Sequence, residues 1–248
     1  MKPKYPTAVR TAVRLGLAVL FAITVLVTHA ARADEFAYEA NSDSQFGFID
    51  LSTGVFTQLG TLPVTLDGLA VYQGEIYGYG AGSGTLYQVD PTNGKLTMIG
   101  TAPFNYRGIG STTKGIYGFD QDMVLYSIDP KTGAPKKIGA TGLSNPSGFG
   151  VSSGQKVLYI TPTFSAGCSG TYLYSVSTSS GKSKKIGSTS VCGIGALAFE
   201  DGVLYGGVFS PTAVYTLNTR TGVASPVADV TGTTGYFYGL VPTAQVAP

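Results

Sequence analysis

Residues 85–100 read TLYQVDPTNGKLTMIG, and the chain returns to this phrase four more times: FGFIDLSTGVFTQLG at 46–60, VLYSIDPKTGAPKKIG at 124–139, YLYSVSTSSGKSKKIG at 172–187 and AVYTLNTRTGVASPVA at 213–228. The turn glycines are Gly54, Gly94, Gly133, Gly181 and Gly222, spaced by 40, 39, 48 and 41 residues. A period near 40 residues with strand-like content is the mark of a repeat architecture. Within each unit, apolar and polar residues alternate on both sides of a turn rich in Asp, Asn, Thr and Gly, the pattern of a half-buried β-hairpin. Such a unit cannot bury its own faces; stacked in a ring, each unit covers its neighbours.

One unit read in full gives four strands. Gly68 to Tyr72 is the first, turned by Gln73-Gly74. Glu75 to Tyr79 is the second, and Gly80 to Gly84 a loop. Thr85 to Val89 is the third, Asp90 to Gly94 a hairpin turn, and Lys95 to Ile99 the fourth. The same grammar fits 108–139, 148–187 and 196–227, with additions in the fourth unit at 152–156 and 161–171. The first unit lacks its first strand. Phe36 to Tyr38 reads as a second strand, and the missing strand stands at the other end of the chain as Gly239-Leu240-Val241. Joining the termini completes a fifth unit and leaves no open edge.

The repeat L-Y-x-[IV]-D-x-x-T-G-x-x-x-x-I-G resembles that of the β-propeller superfamily, in particular exported bacterial propellers, over residues 36 to 242. It degrades at Gly47, Ser177 and Asn218. The expectation is an all-β, five-bladed propeller, four antiparallel strands per blade. The resemblance sorts the loops onto two faces. The loops between second and third strands and the blade-to-blade connections share one face, which in related propellers usually binds ligands. The turns between first and second strands and the hairpins share the other.

Residues 1–33 read as an export signal: basic Lys2, Lys4, Arg10 and Arg14, an apolar run from Leu15 to Val27, and the small-x-small site Ala31-Arg32-Ala33. The apolar run is short for a membrane span, so the expectation is a periplasmic or secreted protein with one propeller domain over 34–248 and no span after cleavage. With Arg32 the signal holds five of the sixteen Lys and Arg residues and none of the fourteen acids, leaving eleven bases and a formal charge of −3. Nothing in that balance favours nucleic acid. The single histidine, His29, also lies in the signal, which removes histidine-dependent triads and histidine-ligated metals from the mature chain. No cofactor is expected. Cys168 and Cys192 form an even pair, read in an oxidising compartment as a disulfide. The propeller layout places both on the same loop-rich face.

The candidate sites follow from that layout. Asp67, Arg107 and Tyr238 immediately precede innermost strands, as do Ser147 and Gly195, and all should ring the mouth of the central channel. A guanidinium at Arg107 suits a carboxylate, phosphate or sulfate, or else an ion pair with Asp67. Asn105, Tyr106, Asn145 and Tyr238, with Phe104 and Tyr236, add the aromatic and amide groups that sugar recognition uses. Asp50, Asp90 and Asp129 recur as turn formers. Asp120 and Asp122 are a fragment of a calcium site at most. Lys136, Lys137, Lys184 and Lys185, near Lys131 and Lys182, fall on outermost strands, where lysine deters sheet aggregation or forms a basic rim. The leading reading is a monomeric, non-catalytic binding module for carbohydrate or an envelope ligand. A glycosidase or polysaccharide lyase is the second, with Glu39 near the funnel and Asp67 as partner. An envelope scaffold that binds other proteins is the third.

Overall fold

The computed structural model describes residues 35–144, 148–163, 171–209 and 212–247, all within one compact unit, Ala33–Pro248. Twenty strands form five antiparallel sheets of four. The split blade 1 holds β1 (Phe36–Asn41), β2 (Gln45–Asp50) and β3 (Phe56–Thr61). Blade 2 is β4 (Leu66–Tyr72), β5 (Glu75–Gly80), β6 (Thr85–Val89) and β7 (Leu96–Thr101). Blade 3 is β8 (Tyr106–Thr112), β9 (Gly115–Asp120), β10 (Val124–Ile128) and β11 (Pro135–Ala140). Blade 4 is β12 (Gly148–Val151), β13 (Leu158–Thr163), β14 (Tyr172–Val176) and β15 (Ser183–Ser188). Blade 5 is β16 (Ile194–Glu200), β17 (Val203–Phe209), β18 (Thr212–Leu217) and β19 (Ala224–Asp229). The last strand, β20 (Phe237–Pro242), returns to blade 1 as its innermost strand, pairing Tyr38 with Val241 and Ala40 with Gly239. The chain is a five-bladed propeller whose ends close the ring.

The core is divided among the seams between blades. Ile49, Phe56, Tyr205 and Phe237 pack between blades 1 and 5, and Phe46, Leu69, Ile76 and Val241 between blades 1 and 2. Tyr79, Tyr106 and Ile109 join blades 2 and 3, Phe119, Leu125 and Leu158 join blades 3 and 4, and Leu173, Ile194 and Leu197 join blades 4 and 5. Each fully buried side chain of this size stabilises by about 1.5–3 kcal/mol, and almost all of that gain is collected across a seam. No blade therefore has a core of its own.

The repeat motif is a description of one hairpin. Asp50 Oδ1 accepts the Ser52 N–H at 2.8 Å, Asp90 Oδ1 that of Thr92 at 2.8 Å, and Asp129 Oδ1 that of Lys131 at 2.8 Å. Asn218 does the same for Arg220 at 2.9 Å, and Ser177 Oγ accepts the Ser180 N–H at 3.3 Å. The turn glycines then carry positive φ, between 70° and 84°. The residue before the motif's last position, a glycine in four blades and Ala228 in blade 5, is the extra residue of a β-bulge in the outer strand of all five blades: Leu59, Ile99, Ile138, Ile186 and Val227 have no direct partner on the neighbouring strand. Such bulges bend and twist the strand.

Candidate functional site

Four inner strands begin with a bulge as well. Asp67 and Gly68 together oppose Tyr79, Arg107 is extra between Tyr106 and Gly108, Gly195 between Ile194 and Ala196, and Tyr238 between Phe237 and Gly239. The sequence reading placed Asp67, Arg107, Gly195 and Tyr238 just before their strands. The structure puts each of them one residue inside, where the bulge takes it out of the ladder. A bulge re-aims a side chain without ending the pairing, so the same local device points these positions toward the ring axis. Ser147 and Asn145 lie outside the described residues.

These positions converge on a cavity of about 890 Å³, lined by Asp67, Asn105, Tyr106, Arg107, Gly195 and Tyr238, by Gly82, Phe104, Phe209 and Tyr236, and by Asp120, Gln121 and Asp122. At the opposite end of the inner strands the segment Ser152–Gly154 ties the ring together. Ser153 Oγ donates to the Leu69 carbonyl at 3.2 Å and Gly154 N–H to Ser111 Oγ at 3.3 Å. The Ser153 carbonyl accepts the Phe199 N–H at 3.3 Å, and Gln245 Nε2 donates to the Gly154 carbonyl at 2.9 Å. The fourth-blade addition seen in the sequence at 152–156 thus links the inner strands of blades 2, 3 and 5 below the cavity.

The cavity has a charged side and an aromatic side. Burial raises the Asp67 carboxyl above its ordinary value, and the positive charge of Arg107 pulls it back. Arg107 is exposed. Burial also raises the Tyr238 phenol, and the negative charge of Asp67 adds to the shift. On the aromatic side the Phe209 ring meets Tyr236 at 6.1 Å and Tyr238 at 6.4 Å, both edge to face. Gly195 admits that ring, since a Cβ there would collide with it. Phe209 closes the second strand of blade 5, one residue beyond Val208, which opposes Ile194 as Asp120 opposes Tyr106 in blade 3. Phe209 thus takes the place of Gln121, which also lines the cavity, and the sequence reading missed it.

Other candidates are placed differently. Tyr106 is buried, with 4% of its surface exposed, and its ring packs edge to face on Tyr79 and Phe104. Its backbone N–H donates to Tyr79 Oη at 2.8 Å. Tyr106 is therefore a wall of the cavity set in the seam core, not a displayed ring. Glu39 does not line the cavity. It lies on the same face of β1 as Ala37 and pairs with Leu240, so it faces the seam between blades 1 and 5. It is fully buried, its carboxyl oxygens make no well-formed hydrogen bond, and burial pushes its carboxyl up to about 8 against the smaller opposing pull of the Asn41 side chain nearby. The proposed Glu39–Asp67 pairing is not formed at the funnel.

Asp120 is committed to its loop: Oδ1 accepts the N–H groups of Asp122 at 3.0 Å and Val124 at 2.9 Å, and Oδ2 accepts Tyr126 Oη at 3.1 Å. Asn41 repeats this turn in blade 1, accepting from Asp43 at 3.1 Å and Gln45 at 3.0 Å. Ser44 and Met123 share its left-handed residue, at φ 58° and 57°. The two loops look alike because they are the same turn, which explains Asp120 without a cation. Cys168 lies outside the described residues, and no cysteine is free among the described ones.

No protein-family model matches the chain. No curated protein matches it either. Among solved structures, a chain in the crystal structure of a nidogen/laminin complex is similar, with a TM-score of 0.58 and 11% identity over 86% of this chain and 99% of that one. At that identity the likeness is one of fold.

Proposed function

We propose that the protein is an exported, non-catalytic binding module that holds a carbohydrate or envelope glycan bearing an anionic group in the funnel at the ring axis. The observation that carries this reading is the bulge set at the inner-strand starts, which aims Asp67, Arg107 and Tyr238 into one cavity. A guanidinium beside a half-buried carboxylate grips a carboxylate or sulfate and orients it. The Phe209, Tyr236 and Tyr238 rings offer apolar faces to a sugar, and Asn105 and Gln121 bring amide donors and acceptors. The reading as a binder, not a glycosidase, is supported by the burial of Glu39 outside the cavity, by the three hydrogen bonds that occupy Asp120 and by the charge of Arg107 beside Asp67, which leave Asp122 as the remaining carboxylate of the lining. A carboxylate pair for glycoside hydrolysis needs an acid and a base or nucleophile both facing the substrate.

Export by the 1–33 segment places the domain in the periplasm or outside the cell, as a monomer. A Cys168–Cys192 disulfide belongs to the same proposal, on the even pair of cysteines in an oxidising compartment. Thiol labelling of the unfolded, unreduced protein tests it: no reaction is expected, and two reactive thiols contradict it. A glycan array probed with the purified protein tests the function. Binding confined to acidic glycans is expected. An array with no bound glycan, or with neutral glycans bound as well as acidic ones, overturns the reading.

A further inference from the structure

The face opposite the funnel carries a second concavity. A groove of about 450 Å³ is lined by Lys114, Lys156, Lys182 and Lys184, together with the blade 4 hairpin from Ser175 to Ser179 and Val157. Among the described residues no acidic one lines it. This reflects a wider segregation: from residue 130 to residue 199 the chain has seven lysines and no Asp or Glu, although the mature protein is acidic overall.

Two local features build the groove. First, the addition in blade 4 brings Lys156 beside Lys114: Thr112 and Gln155 form a parallel bridge, and Thr113 N–H donates to the Gln155 carbonyl at 3.1 Å. Lys114 and Lys156 stand on turns near the inner strands, so protection of an outer sheet edge does not account for them. Second, blade 4 makes its hairpin without a carboxylate. Blades 1 to 3 use Asp50, Asp90 and Asp129 for this turn, while Ser177 Oγ does the same work in blade 4, accepting from Ser180 and bonding Ser179 Oγ at 3.0 Å. The exchange keeps the turn and removes the negative charge from the groove wall.

We propose that this groove binds a linear anionic polysaccharide, its carboxylate or sulfate groups meeting the four ammonium groups and its hydroxyls meeting Ser175, Thr178 and Ser179. The lining selects this class. Among the described residues it has no aromatic ring on which nucleic-acid bases stack, and no arginine fork for phosphopeptides. It is concave with one exposed apolar side chain, Val157, where a membrane-surface site needs a broad apolar face. Ammonium groups spaced along a groove match a polymer with regularly spaced charges.

The test is titration of the protein with dextran sulfate and polygalacturonate, with neutral dextran and anionic phospholipid vesicles alongside. Binding to at least one of the two polyanions, weakened by added salt, is expected. Ser177→Asp installs the residue that blades 1 to 3 use at this turn, so the fold is kept, while placing a carboxylate among the lysines. It and Lys156→Gln/Lys184→Gln should each lower polyanion affinity about tenfold or more. Arg107→Ala is titrated with the same polyanions: loss in the groove variants beyond any loss in Arg107→Ala assigns the polymer to the groove, and loss in Arg107→Ala alone assigns it to the funnel and overturns the proposal. The proposal is overturned if neither polyanion binds, if neutral dextran or the vesicles bind equally well, or if folded Ser177→Asp protein keeps wild-type affinity.

Discussion

Gly100, at the end of the blade 2 repeat, lies directly against the hairpin turn at Gly133 of blade 3. A Cβ on Gly100 would collide with the Thr132 carbonyl, and one on Gly133 would sit 3.1 Å from the Gly100 carbonyl carbon. The same meeting recurs between Gly139 and Gly181 and between Gly187 and Gly222. The two glycines of the repeat, separated within a unit, are thus contact partners between units. The motif encodes the spacing of neighbouring blades as much as the shape of one.

Gly100→Ala should therefore destabilise the protein by about 1–3 kcal/mol or more through overpacking against backbone. Gly142→Ala is the comparison. Gly142 has φ 80° with open space around its Cβ position, so only the left-handed strain of about 1 kcal/mol applies. Urea unfolding of the two variants measures the difference, and equal losses would contradict the seam contact.

Closure of the ring by β20 gives a second expectation. β20 supplies Phe237 and Leu240 to one seam and Val241 to the other. Deleting residues 236–248 should remove cooperative unfolding altogether, because both seams of blade 1 lose core and β1 gains an open edge. A truncated protein that melts like the full chain would show that the terminal strand is dispensable.

Glu39 makes stability depend on pH. Its folded carboxyl holds a proton up to about 8, whereas the ordinary value is 4.5. The folded state binds more protons across this interval, so stability falls as pH rises through it. At pH 7 the cost is about 3 kcal/mol, from 1.36 kcal/mol for each unit. Glu200, pushed up to about 7 by burial and by the charges of Asp201 and Glu35, acts with the same sign. Glu39→Gln should gain on the wild type steadily from pH 5 to pH 8 in denaturant titrations. A constant difference between the two proteins would mean that Glu39 does not titrate in this range.

The blades were legible because the hairpin is a local structure. Asp90, Gly94 and the alternation around them specify the turn without help from the rest of the chain, and Ser177 and Asn218 fill the same role, with the turn glycine's N–H donating to the carbonyl of each. The pairing of Phe36–Tyr38 with Gly239–Val241 was legible as two complementary halves. The inner-strand bulges were not. A bulge is a mismatch in length between two strands, and nothing in Tyr106-Arg107-Gly108 alone announces that Arg107 lacks a partner. The burial of Tyr106 was not legible for a related reason: only the seam with blade 2, through Tyr79, shows that its ring packs into the core while lining the cavity. Glu39 sat on the correct strand but on the face that meets blade 5, a face that a sequence without a fixed register does not assign.

The funnel is the central claim, and Arg107 is the residue on which it turns. The most direct measurement is calorimetric titration of the strongest acidic glycan from the array into wild-type and Arg107→Ala protein, with thermal unfolding of both. Loss of one charge-assisted contact should weaken binding by about 1.5–3 kcal/mol while the melting temperature stays close to wild type. An Arg107→Ala protein that binds the glycan with undiminished affinity, or that loses stability and not affinity, would assign Arg107 to an ion pair with Asp67 that locks blades 2 and 3, and would contradict the funnel as the binding site.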